Sequence, residues 1–404
     1  MRKIIIFNAI LLAICLFFNG CVLVPKKTNK YNNTVQTEQN TETTENSVKK
    51  SNYIRGIWLT YYELSNITKN CSNKNQFTEN IKKVLNKIKE YGFNTVCVQV
   101  RPCADAFYNS KIFPVSKYCF ENQKLIYDPL EIICKEGSKL NLNIEAWINP
   151  YRVSQNAKKQ PRNDFKEFTF TLNNKIYFNP ADEKVTDLIV SGVKEIAKNY
   201  NISAIHFDDY FYPTTDAMFD ADSYQQYKKS GGTKSLADWR RKNVDDLVRA
   251  VYDTVKAEDK NLLFGISPQG NLDNNYNKQF IDVKEWLSED GYIDYICPQI
   301  YFGFENKTCP YEQTVEQWNN LIQNDVQLYV GLAPYKIGLE DTFAGNGRWE
   351  WVNEDDLLAN MVETAREEEH YRGFALFRYD SVFAPASDVK AEVKEEIDNL
   401  KEVL

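Results

Sequence analysis

Histidine is almost missing from this chain: two in 404 residues, His206 and His370. No CxxC pair and no Cys/His spacing occurs either, which argues against an ordinary zinc site. GxSxG is absent, so a serine esterase or deacetylase lacks its signature, and a metal-dependent one lacks its ligands. The first apolar run of the folded region, IRGIWLTYYELSN, holds no GxGxxG, which removes the main support for a dinucleotide fold. A basic surplus is missing too. The net charge is -7, and nucleic-acid binding leans on clustered Lys and Arg, so no nucleic-acid partner is expected. Aromatics are plentiful at 14%, with 25 Tyr and 7 Trp. Rings that pair an apolar face with a hydrogen-bonding edge suit sugars as well as cores.

What is present falls into three parts. Arg2 and Lys3 precede an apolar stretch from Ile4 to Phe18, followed by Asn19-Gly20-Cys21. The stretch is short for a membrane span and reads as an export signal over residues 1–20. A small residue before Cys21 matches the cleavage box of bacterial lipoproteins. We therefore expect a lipid on Cys21 and an exported protein anchored to the cell membrane, facing the cell wall. Residues 21–52 are rich in Lys, Thr, Asn, Glu and Gln, cannot bury a core, and are expected to form a disordered tether. Residues 53–404 are the folded domain. Of nine cysteines, Cys97, Cys134 and Cys297 sit in apolar runs as small buried residues, while Cys71, Cys103, Cys119 and Cys309 lie in loop-like text.

Eight β-rich runs follow one another: 54–59, 94–100, 143–148, 203–208, 262–267, 293–300, 326–333 and 372–377. Between them apolar residues recur three and four apart, as in Phe77, Ile81, Val84, Leu85, Ile88 and in Val185, Leu188, Ile189, Val193, Ile196. Strand and helix alternating eight times predict an α/β fold, a (β/α)8 TIM barrel. Period-two alternation then turns Gln99 and Arg101, Glu145, Trp147 and Asn149, Ala204, His206 and Asp208, Gly265 and Ser267, and Tyr295, Cys297, Gln299 and Tyr301 into the barrel.

Asp208 is thus the last inward residue of the fourth strand, at the end where barrel enzymes keep their chemistry. Asp209 opens the loop. Walled by Tyr210, Phe211 and Tyr212, such a carboxyl is partly desolvated, which suits a general acid. The structural alternatives are a helix cap or a pairing with Arg101. Glu145, ~13 Å below the rim at ~3.3 Å per residue, fits a buried pairing with Arg101 or His206 better. Trp349 and Trp351, in what reads as a long loop, suit either a sugar platform or packing, and the apolar spacing from Val389 to Leu400 predicts a closing amphipathic helix.

Seven stretches carry a resemblance: RGIWLTYYE (55–63), FNTVCVQVRPCADAFYNSKIFPVS (93–116), EAWINPYRV (145–153), HFDDYFYP (206–213), FGISPQGN (264–271), DYICPQIYF (294–302) and GFALFRYDS (373–381). Together they resemble the bacterial glycosyl-hydrolase-like family of barrel proteins, long described as a domain of unknown function. The resemblance implies a TIM barrel, lipoprotein character and hydrolysis of a polysaccharide, the peptidoglycan glycan freed of stem peptides. It implies no cofactor. It carries over Asp208 and Asp209 as the acidic centre, with Arg101, Asp105, Tyr108, Trp147, Asn149, Tyr151, Arg152, Tyr210, Gln299 and Tyr301 lining the cleft. Glu145, where the pattern has His, and LDNN after Gln269-Gly270-Asn271 are departures. Retaining chemistry with carboxyls ~5 Å apart, inverting chemistry at ~6.5–9.5 Å and assistance by a 2-acetamido group all stay open. So does a barrel that binds glycan without cutting it.

Overall fold

The computed structural model describes residues 53–404, apart from 159–162 and Tyr210, with Asn163 and Asp164 described by backbone alone. The expected export signal, Cys21 and the tether lie outside the described residues. Eleven strands are described: β1 (Ile54–Leu59), β2 (Thr95–Arg101), β3 (Asn143–Ile148), β4 (Arg152–Ser154), β5 (Thr169–Leu172), β6 (Lys175–Phe178), β7 (Ala204–Phe207), β8 (Leu263–Ile266), β9 (Tyr295–Ile296), β10 (Gln327–Leu332) and β11 (Tyr371–Leu376). Eight of them close a parallel barrel in the order β1-β2-β3-β7-β8-β9-β10-β11, with β11 paired back to β1. Helices run between the barrel strands. The (β/α)8 expectation holds.

The helices form where the spacing predicts. Lys74–Glu90 buries Phe77, Ile81, Val84, Leu85 and Ile88, and Asn73 caps it by accepting from the Gln76 amide. Glu183–Asn199 buries Val185, Ile189, Val193 and Ile196 against the sheet. Truncating one such residue, as in Ile189→Ala, is expected to cost about 2–5 kcal/mol through lost burial and the cavity left behind. The closing helix Lys390–Glu402 buries Val393, Ile397 and Leu400. Its buried Glu396 also accepts from the amides of Leu357 and Leu358, at the start of the helix Leu357–Arg366.

Two departures from the sequence reading have local causes. β9 is only two residues long, because Pro298 has no N–H to donate and the chain continues as single bridges at Gln299. Between β3 and the next helix lies a small antiparallel sheet, β4-β6-β5, that the apolar-run reading does not contain. Its hairpin turns on Asn173 and Asn174, both at positive φ, the two-residue turn that Asn tolerates well.

Two apolar layers result. One fills the space between sheet and helices; the other, inside the barrel, gathers Trp58, Cys97, Trp147, Ala204, Tyr295, Cys297, Tyr329 and Ala375. Gly265 on β8 belongs to the inner packing. The Tyr295 ring lies against it so closely that a Cβ there would collide with the ring. Cys71, Cys97, Cys103, Cys119, Cys134, Cys297 and Cys309 are all free, and only Cys309 is not buried.

Candidate active site

Inside the barrel the polar side chains form two hydrogen-bonded networks, one above the other. The lower begins at the Trp58 indole, which can only donate, and its Nε1 points at His206 Nε2 at 3.3 Å. His206 must therefore carry its proton on Nδ1, which lies 2.8 Å from the Tyr295 hydroxyl. Tyr295 in turn donates to Glu145 Oε2 at 2.9 Å. The charges are arranged to match. Burial pulls the His206 pKa down to about 3 and pushes that of Glu145 up to about 7, the latter opposed by the Tyr295 and Cys97 hydrogen bonds. Glu145 thus reaches His206 through a tyrosine, and the 3.7 Å approach of the two is no ion pair while the imidazole is neutral. Ligand-type atoms of Cys97, Glu145 and His206 lie within 4.8 Å of one another, yet both His206 nitrogens are already engaged by Trp58 and Tyr295.

The upper network ends on the aspartates. The Tyr61 amide donates to Gln99 Oε1 at 3.0 Å, which leaves Gln99 Nε2 to donate to Asn149 Oδ1 at 2.6 Å. Arg152, at the start of β4, also donates to that Oδ1 at 2.8 Å while its Nε holds the Pro102 carbonyl at 2.6 Å. A guanidinium has no acceptor, so the orientation of the Asn149 amide is fixed and its Nδ2 donates to Asp208 Oδ2. Asp208 is buried at the end of β7. Asp209, also buried, has its pKa raised by burial, against hydrogen bonds from its own backbone and from Gln299, Gln269 and Gln279. Tyr301 lies within electrostatic reach of both: its hydroxyl is pushed well up by burial, with Tyr335, Cys297, Asp209 and Asp208 adding to the push. Trp147 Nε1 and Ser267 Oγ are buried without a partner.

The loop that follows Asp209 is held from behind. Arg240, on the helix Leu236–Glu258, clasps Asp220 with both partners fully buried, at 2.9 Å through Nε and 2.5 Å through Nη2. It also donates to the Asp216 carbonyl at 2.7 Å and stacks 4.9 Å from the Phe280 ring. Across the closing seam, Arg378 after β11 reaches Glu63 after β1 at 2.6 Å.

The structure thus brings Asp208, Asp209, Trp147, Asn149, Arg152, Gln299 and Tyr301 together. Asp105 sits nearby, within electrostatic reach of Arg152. Its carboxyl is raised by burial to about 6 despite a hydrogen bond from Ser116. Tyr210 lies outside the described residues. Arg101, Tyr108 and Tyr151 are placed elsewhere. A bulge between Gln99 and Arg101 shifts the register, so Arg101 pairs with Ile148 and turns outward, correcting the inward direction that strict alternation predicts. Its guanidinium lies 4.3 Å from the Phe113 ring and packs against Gly192, where a Cβ would strike it. Tyr108, beside Tyr200 at 5.7 Å, and Tyr151, beside Phe211 at 6.4 Å, are fully buried in the outer layer. Of the glutamines around Asp209 the sequence reading named Gln299 and missed two; Gln269 lies in a quoted stretch, but nothing marks Gln279.

Comparison with known proteins agrees with the family resemblance and the barrel fold. A family model described as glycosyl hydrolase-like 10 matches residues 53–349. Glycosyl hydrolase YngK of Bacillus subtilis (strain 168) is 35% identical over 316 residues, which are 70% of this chain and 61% of that protein, so the chain spans about three fifths of its length. Glycosyl hydrolase DigH of Escherichia coli (strain K12) is 30% identical over 374 residues, 82% of this chain and 83% of its own. Among solved structures, the glycoside hydrolase domain of PgaB (BpsB) from Bordetella bronchiseptica superposes with a TM-score of 0.55 at 12% identity, covering 87% of this chain and 98% of that one. At that identity the likeness is one of fold alone.

Proposed function

The chain belongs to the glycosyl hydrolase-like 10 family, and we propose that it hydrolyses the N-acetylhexosamine glycan of cell-wall peptidoglycan, with Asp208 and Asp209 as the acid–base centre. The observation that carries this reading is the fixed polarity of the chain from Tyr61 through Gln99 and Asn149, which presents a hydrogen-bond donor to Asp208 at the barrel mouth. Two adjacent carboxyls resist ionising together. Asp208 is held as an acceptor by Asn149, whereas burial favours the protonated form of Asp209, and environments that separate two carboxyls in this way assign one as base and one as acid.

In the proposed step Asp209 gives its proton to the glycosidic oxygen as the C1–O bond breaks. The Asp208 carboxylate faces the positive charge that develops at C1. Water then adds to C1 and returns a proton to Asp209. Tyr301 and the unpartnered Trp147 indole and Ser267 hydroxyl supply hydrogen bonds of the kind a 2-acetamido group and ring hydroxyls require, while Gln299 is held by the Ser267 carbonyl and Asp209. Export and a lipid on Cys21 complete the proposal, since both put the enzyme beside the wall.

The test is digestion of purified peptidoglycan glycan freed of stem peptides by the full chain, wild type beside Asp208→Asn, with products read by mass spectrometry. New reducing ends from wild type alone are expected. If neither protein produces fragments while both stay bound to the glycan, the chain is a binding module and the hydrolytic reading falls.

A further inference from the structure

Soluble surfaces scatter single apolar side chains, whereas a cluster of them marks a contact. Ten large apolar side chains are exposed among the described residues, and five of them lie between 335 and 352. Tyr335 is 41% exposed, Leu339 48%, Phe343 74% and Trp349 50%, while Trp351 is buried at 2%. The ambiguity of the two tryptophans in the sequence is thereby split: Trp351 packs, and Trp349 faces out.

This segment begins at the barrel mouth. The Tyr335 ring meets the Tyr301 ring edge-on at 5.8 Å, and Tyr301 follows Gln299 where the β9 segment leaves the barrel. Lys336 Nζ holds the Tyr301 carbonyl at 2.6 Å and Asp341 at 2.7 Å. From there the chain is bonded to itself and to the segment after β9. The Gly338 amide donates to the Trp351 carbonyl at 2.7 Å, that of Asp341 to the Arg348 carbonyl at 2.9 Å, and that of Lys307 to the Ala344 carbonyl at 2.9 Å. Buried Glu350 accepts from the amides of Phe304 and Glu305. The exposed rings thus stand on a braced support, so little ordering entropy is lost when something stacks on them.

We infer that Tyr335, Phe343 and Trp349 form a platform for sugars beyond the cleavage point, so that the protein reads a glycan strand and not a single disaccharide. The inference rests on the glycan-hydrolase reading above. Three observations select a glycan as the occupant. The first ring, Tyr335, meets Tyr301 at the mouth; the rings are interleaved with the partly exposed Glu340 and Arg348, polar groups of the kind a sugar's edge bonds to; and acids outnumber bases on the segment, which disfavours an anionic lipid surface. Arg348 pairs with Glu340 and lies 5.5 Å from the Trp349 ring, holding that ring in place.

The experiment measures affinity of the full chain for stem-peptide-free glycan strands fractionated by length, from disaccharide to long strands, with wild type, Phe343→Ala and Trp349→Ala. Both substitutions are at exposed positions, and thermal melting verifies that each variant is folded. We expect the preference for long strands over disaccharide to fall about tenfold for each ring removed. Long strands that bind wild type and both variants equally would overturn the platform while leaving the glycan reading intact. No binding of any strand by wild type would overturn both, and a dimer that either substitution dissolves would assign the patch to a second copy of the chain.

Discussion

The two networks inside this barrel use the same kinds of side chain and reach opposite ends. In the lower one Trp58, His206, Tyr295 and Glu145 pass hydrogen bonds from a pure donor to a carboxyl, within the inner apolar cluster to which Trp58 and Tyr295 themselves belong. In the upper one the chain from Tyr61 ends on Asp208, and the Trp147 and Ser267 donors beside it have no protein partner. Buried polar groups are ordinarily satisfied. Residue type therefore does not separate the two ends here; position along the barrel does. Glu145 closes its chain among the inner rings, whereas Asp208 and Asp209 lie where β7 ends.

Asp208→Asn is the sharpest way to break that contrast. It should lower kcat/KM on glycan by about 10³-fold or more with little change in melting temperature, and steady-state kinetics beside a thermal melt decide it. Arg240→Met comes next, because it leaves Asp220 buried without its partner. A loss of about 3–5 kcal/mol is expected in a denaturant titration. Glu145→Gln should spare most of the activity and change the pH dependence of stability instead. Glu145 keeps its proton in the folded state up to about 7 but loses it near 4.5 when unfolded. Its contribution is therefore complete below pH 4.5 and falls away as pH rises to about 7, by about 3 kcal/mol at most, at ~1.4 kcal/mol per pH unit. Urea titrations at pH 5 and pH 7 should show a smaller difference between the two for the variant. Gln99→Ala, the mildest, frees Asn149 to turn and should reduce kcat/KM about tenfold, and an unchanged rate would mean that Arg152 alone orients the amide.

The barrel was legible because eight apolar runs and their helices each repeat with their own period, and a period survives whatever the loops do. Directions along a strand were legible only where the strand is regular. His206 and Asp208 face inward as alternation requires, but one bulged position in β2 sends Arg101 to the outer face. The hairpin at Asn173-Asn174 carried a turn signal that the search for apolar runs passes over. Alternation marks Gln299, but the arrival of Gln269 and Gln279 beside Asp209 leaves no trace in spacing, because it joins the ends of separate segments that only the closed barrel brings together.

Gly265 carries a consequence for how such a sequence can change over time. The Tyr295 ring occupies the space where any other side chain at 265 would begin, and the Tyr295 hydroxyl is the link between Glu145 and His206. A lineage that gains a side chain at 265 must shrink the ring at 295, and doing so strands a buried carboxyl and a buried imidazole together. The absence of one side chain at 265 thus constrains three others through a single ring, and the space that glycine leaves is as much a part of the inner network as the groups that bond in it.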